Sequence, residues 1–262
     1  MSGESEYGFM ANNRGITSIE TTLDVIETLA SLGEAGVSEL ADELGLANST
    51  VHDHLVTLER RGYVVKHERR YRAGTKFLGV GTQIRRHLEV FNVAKPELKR
   101  LADETGEHVN LMIEEDGIGV LLYTVMGENA VQVVAHDGSR TLLHITAPGK
   151  VILAHLPDER VEEILDRYGL PAETKNTITD EGRLMEELDQ IRERGYGIDR
   201  EESLEGMWGV AVPIIRRDND EIRGAISVYG PRSRTDAGEF EEDLPQLLLK
   251  AANVIEVNLT YS

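Results

Sequence analysis

Between residues 17 and 74 the sequence contains three short segments with apolar residues at helical spacing, followed by a charged hairpin. A glycine closes each segment, at positions 33, 45 and 62, as is common at helix C-termini. Helices this short are not stable alone, so the three must pack on one another. The positions predicted to face inward are Ile19, Leu23, Ile26 and Leu29, then Leu40, Ala41 and Leu44, then Val51, Leu55 and Leu58.

The third segment indicates a function, because its inward positions determine which side chains face outward. Asn48 or Ser49 is predicted to cap this helix. The outward side chains are short and polar: Ser49, Thr50, His52, Asp53 and Thr57. The next residues, "GYVVKHERRYRAG", alternate around a charged turn as a β-hairpin does. The whole arrangement predicts a winged helix-turn-helix, whose second helix enters the DNA major groove while the hairpin holds phosphates.

The distribution of charge favours a nucleic-acid partner for this segment alone. The chain has a formal net charge of -19, from 28 basic and 47 acidic residues. Residues 45–76 have the opposite sign, with seven basic residues against three acidic ones, so a polyanion can bind here and is repelled elsewhere. The predicted phosphate contacts are Arg60, Lys66, Arg69, Arg70 and Arg72. A small helical bundle with a solvated charge cluster fits the same pattern.

The acidity of the remaining chain is typical of a protein adapted to concentrated salt, since only seven of the 28 basic residues are lysine. An ordinary acidic cytosolic protein is the alternative to a halophilic one. The N-terminus lacks the features of a signal peptide, and no apolar run approaches the ~20 residues that span a bilayer. We therefore expect a cytoplasmic protein with no membrane partner. The absence of cysteine excludes disulfides and thiolate sites, and no cofactor is expected.

The pattern changes after the hairpin. Residues 77–91 predict a linker helix, which Pro96 separates from a second helix ending at Gly106. From His108 the apolar period becomes two, which predicts hairpins about residues 116–117 and 137–138 and later strands at "YGI", "VAVPII" and "RGAISVYG". Helices are predicted over residues 149–156, 158–168, 180–194 and 239–257. The fold class is therefore α+β, with a DNA-binding domain over 16–76 and a second domain over 92–262.

Several segments also resemble IclR-type transcriptional regulators. The DNA-binding domain of that family resembles "SIETTLDVIETLASLGEAGVSELADELGLANSTVHDHLVTLERRGYV", and its effector domain resembles "LHITAPGKVILAHLP" and "GAISVYGPRSR". The resemblance implies a GAF-like effector-binding domain with an antiparallel sheet and flanking helices. It also implies that linker and DNA-binding domains pair between subunits, in a homodimer or homotetramer. Asp53 stands where members commonly carry Arg, and an Asp can accept from cytosine N4, so the operator preference should differ.

The segment "HITAPGKVILA" predicts a ligand site. Pro148 suits the first turn of a helix, while Ala147 and Gly149 leave the backbone approachable, and free N–H groups there favour a carboxylate. Plain helix–sheet packing explains the same residues. The resemblance implies that the effector pocket consists of Ala147, Pro148, Asp199, Met207, Gly209, Ser227 and Tyr229. Gly209 and Tyr229 depart from the commoner residues of the family, which implies a pocket of changed shape.

Other candidate sites are weaker. His108, His136 and His144 lack metal-site spacing and are interpreted as satisfied surface or edge-strand histidines, and Glu201 and Glu202 as solvated. No nucleophile and base set supports an enzyme, and the aromatic platform of an RNA-binding adaptor is missing. The sequence thus predicts a DNA-binding regulator whose operator affinity is modulated by a small organic-acid or sugar-derived metabolite. A metabolite-binding enzyme with a helical assembly domain is the alternative.

Overall fold

The computed structural model describes residues 15–131, 135–234 and 242–261, and the chain forms two compact units. The first unit extends to residue 87 and the second begins at residue 88. In the described ranges, no helix is both long and apolar enough to cross a bilayer.

The first unit is a helical core with a small antiparallel sheet. Its elements are α1 (Thr17–Leu32), β1 (Ala35–Gly36), α2 (Val37–Leu44), α3 (Asn48–Arg60), β2 (Val64–His67), β3 (Arg70–Ala73) and α4 (Lys76–His87). The strands have the order β1-β3-β2. Helices and sheet share one core, which includes Val25, Leu29, Leu40, Val51, Leu55, Leu58, Val64 and Tyr71. The predicted winged helix-turn-helix is confirmed.

A tight turn at Gly45 and Leu46 leads from α2 to α3. Gly45 has a φ of 64°, in the left-handed region that favours glycine, and the Leu46 N–H donates to Ala41 O at 2.9 Å. The predicted cap of α3 was wrong. Ala47 is the N-cap residue and makes no side-chain cap, whereas Asn48 and Ser49 lie inside the first turn.

The prediction for the inward face of α1 was partly wrong. Val25 and Leu29 are fully buried, whereas Ile19 is 54% exposed and Leu23 is 51% exposed. The helix has two apolar stripes, and helical spacing alone does not say which of them meets the core. Ile16, which is 64% exposed, extends the outer stripe.

The helices that follow the wing differ from their predicted limits. The predicted linker helix over 77–91 ends at His87, because Leu88 is extended with φ -85° and ψ 107°, and α5 (Glu89–Thr105) begins after it. Pro96 lies inside α5 and does not interrupt it. Proline costs a helix one hydrogen bond, but apolar residues on both sides of it are buried in the core of the second unit, which offsets the loss. Those residues are Val90, Phe91, Ala94, Leu98 and Leu101.

A six-stranded antiparallel sheet forms the centre of the second unit. Its strands are β4 (His108–Glu115), β5 (Ile118–Met126), β6 (Arg140–Leu142), β7 (Gly197–Arg200), β8 (Met207–Arg216) and β9 (Glu221–Pro231), in the order β6-β5-β4-β9-β8-β7. The predicted hairpin about residues 116–117 is confirmed. In the second predicted hairpin, β6 pairs with β5, and residues 132–134 lie outside the described ranges.

Helices cover both faces of the sheet. On one face, α5 and α9 (Leu244–Thr260) share a core with alternate strand residues such as Leu111, Val210 and Val228. The other face carries the intervening residues Met112, Ala211 and Ala225, which pack with α6 (Ala147–His155), α7 (Asp158–Tyr168) and α8 (Glu181–Arg194). We call it the α6 face. This architecture confirms the predicted α+β class and positions the candidate pocket residues.

Candidate DNA-binding surface and effector pocket

The exposed side of α3 carries the predicted base-reading residues. Val51, Leu55 and Leu58 are buried, and this fixes the orientation of the helix on the core. Its exposed residues include Ser49, Thr50, His52, Asp53 and Thr57. All five predicted residues therefore lie on the solvent side of the helix.

Two side chains of α3 also make internal contacts. The Thr57 hydroxyl donates to Asp53 O at 2.9 Å, so part of its hydrogen-bonding capacity is used inside the helix. His54, which sequence reasoning did not select, has its Nδ1 2.8 Å from the Thr22 hydroxyl of α1. This hydrogen bond ties α3 to α1 and helps to fix the direction of the exposed face.

The basic wing is the hairpin of β2 and β3. Val64 and Tyr71 anchor it in the core, and its two-residue turn, Glu68 and Arg69, lies at the tip. Glu68 has a φ of 55°, a left-handed conformation that is uncommon outside glycine and asparagine. The predicted phosphate contacts are all exposed: Arg60, Lys66, Arg69, Arg70 and Arg72.

Arg70 differs from the other basic residues of the wing. Its Nε lies 3.0 Å from Glu34 Oε1, its Nη1 lies 3.0 Å from Glu39 Oε2, and its Nη2 donates to Glu34 O at 2.7 Å. The Gly36 N–H donates to the Glu39 carboxylate, and this hydrogen bond, together with the Arg70 guanidinium, lowers the pKa of the Glu39 carboxyl. Arg70 thus fastens β3 to the start of α2, and its charge is already offset by two carboxylates.

Three predicted pocket residues are neighbours across the sheet. Asp199 on β7 pairs with Gly209 on β8, and Gly209 pairs with Tyr229 on β9. We call this line the pocket row. Ser227 lies two residues before Tyr229 on the same α6 face. Met207 is two residues before Gly209, so five of the seven predicted residues share one face of three adjacent strands.

Asp199 is the most perturbed group of the pocket row. It is 2% exposed, and it accepts hydrogen bonds from Glu202 N at 2.7 Å and from the Ser203 hydroxyl at 2.5 Å. Burial raises its pKa to about 6, and the nearby Glu202 charge acts in the same direction. Asp199 therefore organises the loop after β7, and Ser203, which sequence reasoning missed, is its partner there.

Gly209 and Tyr229 compensate for one another in size. A Cβ atom added at Gly209 would lie 3.5 Å from Tyr229 Cδ2 and 3.7 Å from Asp199 Cβ, which is ordinary van der Waals contact. The Tyr229 ring thus covers the space beside the glycine. Burial, with the nearby Asp199 charge, raises the pKa of the Tyr229 hydroxyl, which stays protonated and can donate.

The start of α6 is less open than its sequence indicates. Ala147 and Pro148 are buried at the first two helical positions, but the Gly149 N–H donates to the Thr146 hydroxyl at 3.1 Å. A Cβ atom on Gly149 would lie 2.1 Å from Leu143 O. One of the N–H groups that were expected to bind an anion is therefore already hydrogen-bonded. The Leu143 backbone also packs closely against the first turn of α6.

Lys150 and Glu202 form a buried ion pair, and the interpretation of Glu202 as solvated was wrong. Their Nζ and Oε1 atoms are 2.5 Å apart, and the side chains are 1% and 8% exposed. A lysine inside the apolar helix "GKVILA" needs a partner when buried, and this was the signal available in the sequence. Glu187 Oε1 lies 4.0 Å from the same Nζ.

A cavity of about 410 Å³ lies beside this ion pair. Its lining residues are Lys150, Lys175, Asn176, Thr177, Ile178, Arg183, Glu187, Arg200 and Glu202. None of them is one of the seven predicted pocket residues. The cavity is lined largely by charged side chains, whereas the pocket row combines small, aromatic and polar groups as metabolite pockets do, so we retain the pocket row as the candidate effector site.

In the described parts of the chain, no group of three or more His, Asp or Glu side chains is arranged to hold a metal ion. Of the candidate histidines, His144 is buried and its Nε2 lies 3.0 Å from Pro171 O, with a pKa lowered by burial. His136 is exposed and contacts its own turn. His108 is also buried, on the inner strand β4 and on the α6 face, so the interpretation of His108 and His144 as surface or edge-strand histidines was wrong.

Comparisons with known proteins agree over most of the chain. Family models described as "IclR helix-turn-helix domain" and "Bacterial transcriptional regulator IclR C-terminal" match residues 18–68 and 82–257. The chain is 33% identical over 256 residues to a probable HTH-type transcriptional regulator ArcR of Halobacterium salinarum, covering 95% of this chain and 97% of the relative.

Two solved structures are also similar. The Thermotoga maritima IclR has a TM-score of 0.80 and 29% identity, with 94% of this chain and 100% of that chain covered. An IclR homolog from Microbacterium hydrocarbonoxydans complexed with 4-hydroxybenzoate has a TM-score of 0.78 and 24% identity, with the same coverage of 94% and 100%.

Proposed function

The chain belongs to the IclR family of transcriptional regulators, and from this membership we propose which of its residues bind DNA and effector. Residues 16–76 bind operator DNA, the second unit from residue 88 binds a small-molecule effector, and residues 77–87 connect the two. The chain is a regulator and not an enzyme, as the names of its relatives indicate. Effector binding changes operator affinity because the effector prefers one of two arrangements of the DNA-binding domains.

The exposed polar face of α3 is the observation that carries the DNA-binding proposal. Its five predicted residues, from Ser49 to Thr57, are exposed above a buried apolar face, as base-reading residues of a helix-turn-helix are. Arg60, Lys66, Arg69 and Arg72 bind phosphates. Arg70 orients the wing in this proposal, because its two carboxylate partners already offset its charge.

We also propose a homodimer or a homotetramer whose subunits pair through the first unit. Its exposed large apolar side chains include Ile16, Ile19 and Leu23 at α1 and Leu78 and Ile84 on α4. Leu78 is 70% exposed and Ile84 is 60% exposed. Exposed apolar side chains clustered on a helix in this way often mark a protein interface. A two-fold dimer would also present two recognition helices to a palindromic operator.

The pocket row and its neighbours favour an effector that has both an acid group and a hydroxyl. Asp199 repels a bare anion but accepts from a hydroxyl, whereas Ser227 and the protonated Tyr229 can donate to a carboxylate. Ala147 and Pro148 close the pocket at the start of α6, and Met207 and Gly209 shape it. The relative complexed with 4-hydroxybenzoate holds a ligand with both of these groups.

A mobility-shift titration on the promoter region of the gene itself tests the DNA half of the proposal. Replacing Arg69 and Arg72 by Gln should weaken binding to all DNA sequences and lower the slope of log affinity against log salt by about one for each lost contact. Arg217, an exposed arginine on the second unit, is the matched control. If Arg69 and Arg72 behave like Arg217, the wing does not contact DNA.

Thermal-shift screening of organic and sugar acids tests the effector half. An acid at 100 times its dissociation constant adds about 2.7 kcal/mol to stability. Each acid that binds should then be added to the mobility-shift assay and also assayed for turnover, since conversion of the acid would favour the metabolite-binding enzyme. Absence of stabilisation by every acid would remove the proposed effector class.

We further propose that the protein works in the cytoplasm of a halophile. The net charge of -19 and the small number of lysines support this, as does the similarity to a regulator of Halobacterium salinarum. A maximum of stability in molar potassium chloride, lost on dialysis to low salt, is the expected result. An unchanged stability across that range would contradict it.

A further inference from the structure

His108 extends the pocket row by one strand. The register of β9 and β4 pairs it with Tyr229, and the two ring centroids are 6.3 Å apart. The four residues from Asp199 to His108 therefore cross β7, β8, β9 and β4 on the α6 face. The His108 side chain is 2% exposed, so any polar atom on it that lacks a partner is costly.

One nitrogen of His108 has a partner and the other does not. Nε2 lies 2.5 Å from Val131 O, and because a carbonyl only accepts, Nε2 carries the proton. In the neutral imidazole, Nδ1 is then a hydrogen-bond acceptor. It is buried, and no group in the described residues donates to it.

Thr124 on the neighbouring strand β5 provides a second buried polar atom without a partner among the described residues. The register of β4 and β5 places Thr124 opposite Asn110, diagonal to His108 and on the same face of the sheet. Its hydroxyl oxygen is buried and has no hydrogen-bond partner among the residues that the structure describes. A hydroxyl can donate and accept, so it complements the acceptor on His108.

We propose that His108 and Thr124 bind a hydroxyl of the effector at the end of the pocket row opposite Asp199. That hydroxyl donates to His108 Nδ1 and accepts from the Thr124 hydroxyl. The proposal rests on the effector function proposed above and adds two residues to its site. Buried polar atoms without partners are rare in folded proteins, and a ligand group that satisfies both removes the cost of leaving them unpaired.

The two ends of the pocket row require two hydroxyls on one effector. Asp199 lies on β7 and His108 on β4, on opposite sides of β9, which carries the proposed carboxylate partners Ser227 and Tyr229. Lactate has a single hydroxyl beside its carboxylate, so once that hydroxyl donates to Asp199 it has none for His108. A sugar acid has several hydroxyls, and the proposal therefore favours a sugar acid over a short hydroxy acid such as lactate.

The test uses gluconate and lactate as probes and three variants of the full chain. His108→Gln keeps a donor near the Nε2 position for Val131 and removes the Nδ1 acceptor. His108→Asn is the matched control, because its amide oxygen lies near the Nδ1 position. Thr124→Val removes only the hydroxyl at nearly constant volume. Circular dichroism and DNA affinity without acid show whether each variant is folded.

Calorimetry should show gluconate binding to the wild type and about tenfold weaker binding to His108→Gln and Thr124→Val. His108→Asn should lose less, and lactate affinity should not respond to any of the three. Equal gluconate affinity in the wild type and all variants would overturn the proposal. A change in melting temperature without a change in gluconate affinity would also overturn it, because it would indicate that a buried water, and not the effector, satisfies the two atoms. If gluconate binds the wild type and Ser227→Ala abolishes it while His108→Gln does not, only this inference fails. If neither acid binds the wild type, this inference fails, whereas the proposed effector class is decided by the wider thermal-shift screen.

Discussion

Replacing Asp199 by Asn tests the electrostatics of the pocket row. The amide oxygen can still accept from Glu202 N, and the amide nitrogen can donate to the Ser203 hydroxyl, so the loop after β7 keeps its geometry. The main change is the loss of a buried negative charge. Differences between the two proteins therefore report the cost of ionising Asp199 in the folded state.

The magnitude follows from the pKa of Asp199, which burial raises from about 3.8 to about 6. The folded wild type holds its proton to higher pH than the unfolded chain, so its stability falls as pH rises through this window. Ionisation of Asp199 in the folded state lowers the free energy of unfolding by about 3 kcal/mol in all, and about 2 kcal/mol of this loss occurs between pH 4.5 and 7.5. The Asn variant has no carboxyl to ionise at this position. Its free energy of unfolding relative to the wild type should therefore rise by about 2 kcal/mol from pH 4.5 to 7.5.

Urea unfolding at constant salt measures this difference. Trp208 is the only tryptophan of the chain and lies on β8, so its fluorescence follows the sheet that contains the pocket row. Asp199→Ala is the control, because it removes the acceptor as well as the charge and should be destabilised at every pH. A stability difference between wild type and Asn variant that does not change from pH 4.5 to 7.5 would refute a raised pKa for Asp199.

Three further predictions concern other parts of the molecule. Replacing Lys150 by Met should cost about 3–5 kcal/mol, because Glu202 is then buried without its partner, whereas adding Glu202→Leu should recover most of this loss in a double-mutant cycle. Arg69→Gln should lower the salt slope of DNA binding by about one, with no change in melting temperature. Asp53→Arg should change the preferred operator by about 1–3 kcal/mol at one base pair, and the same consensus from a binding-site selection on both proteins would show that Asp53 does not read bases.

The sequence predicts most of the fold because helical spacing and closing glycines specify local structure directly. It predicted the α3 face correctly, since Val51, Leu55 and Leu58 form a single stripe. It failed on α1, where two stripes compete and only tertiary packing selects Val25 and Leu29. The predicted limits of the linker helix were wrong for a similar reason. Buried contacts stabilise α5 through Pro96, so the break lies at Leu88 and not at the proline.

The pocket was harder to predict than the fold, because its properties arise from pairs that are distant in sequence. Lys150 and Glu202 are 52 residues apart, and nothing local to Glu202 indicates that it is buried. His108 was set aside because it lacked metal-site spacing. Only strand register places it beside Tyr229, and only burial shows that its second nitrogen lacks a partner in the described residues.

A nuclease footprint on the promoter region of the gene itself, with and without gluconate, tests the central claim most directly. A dimeric regulator should protect two half-sites about one helical turn, or a multiple of it, apart. An acid that binds the pocket row should change the concentration of protein needed for protection, and Ser227→Ala should abolish that change while leaving protection intact without acid. Absence of any protected site, or protection whose response to acid is the same in Ser227→Ala, would contradict control of DNA binding through this pocket.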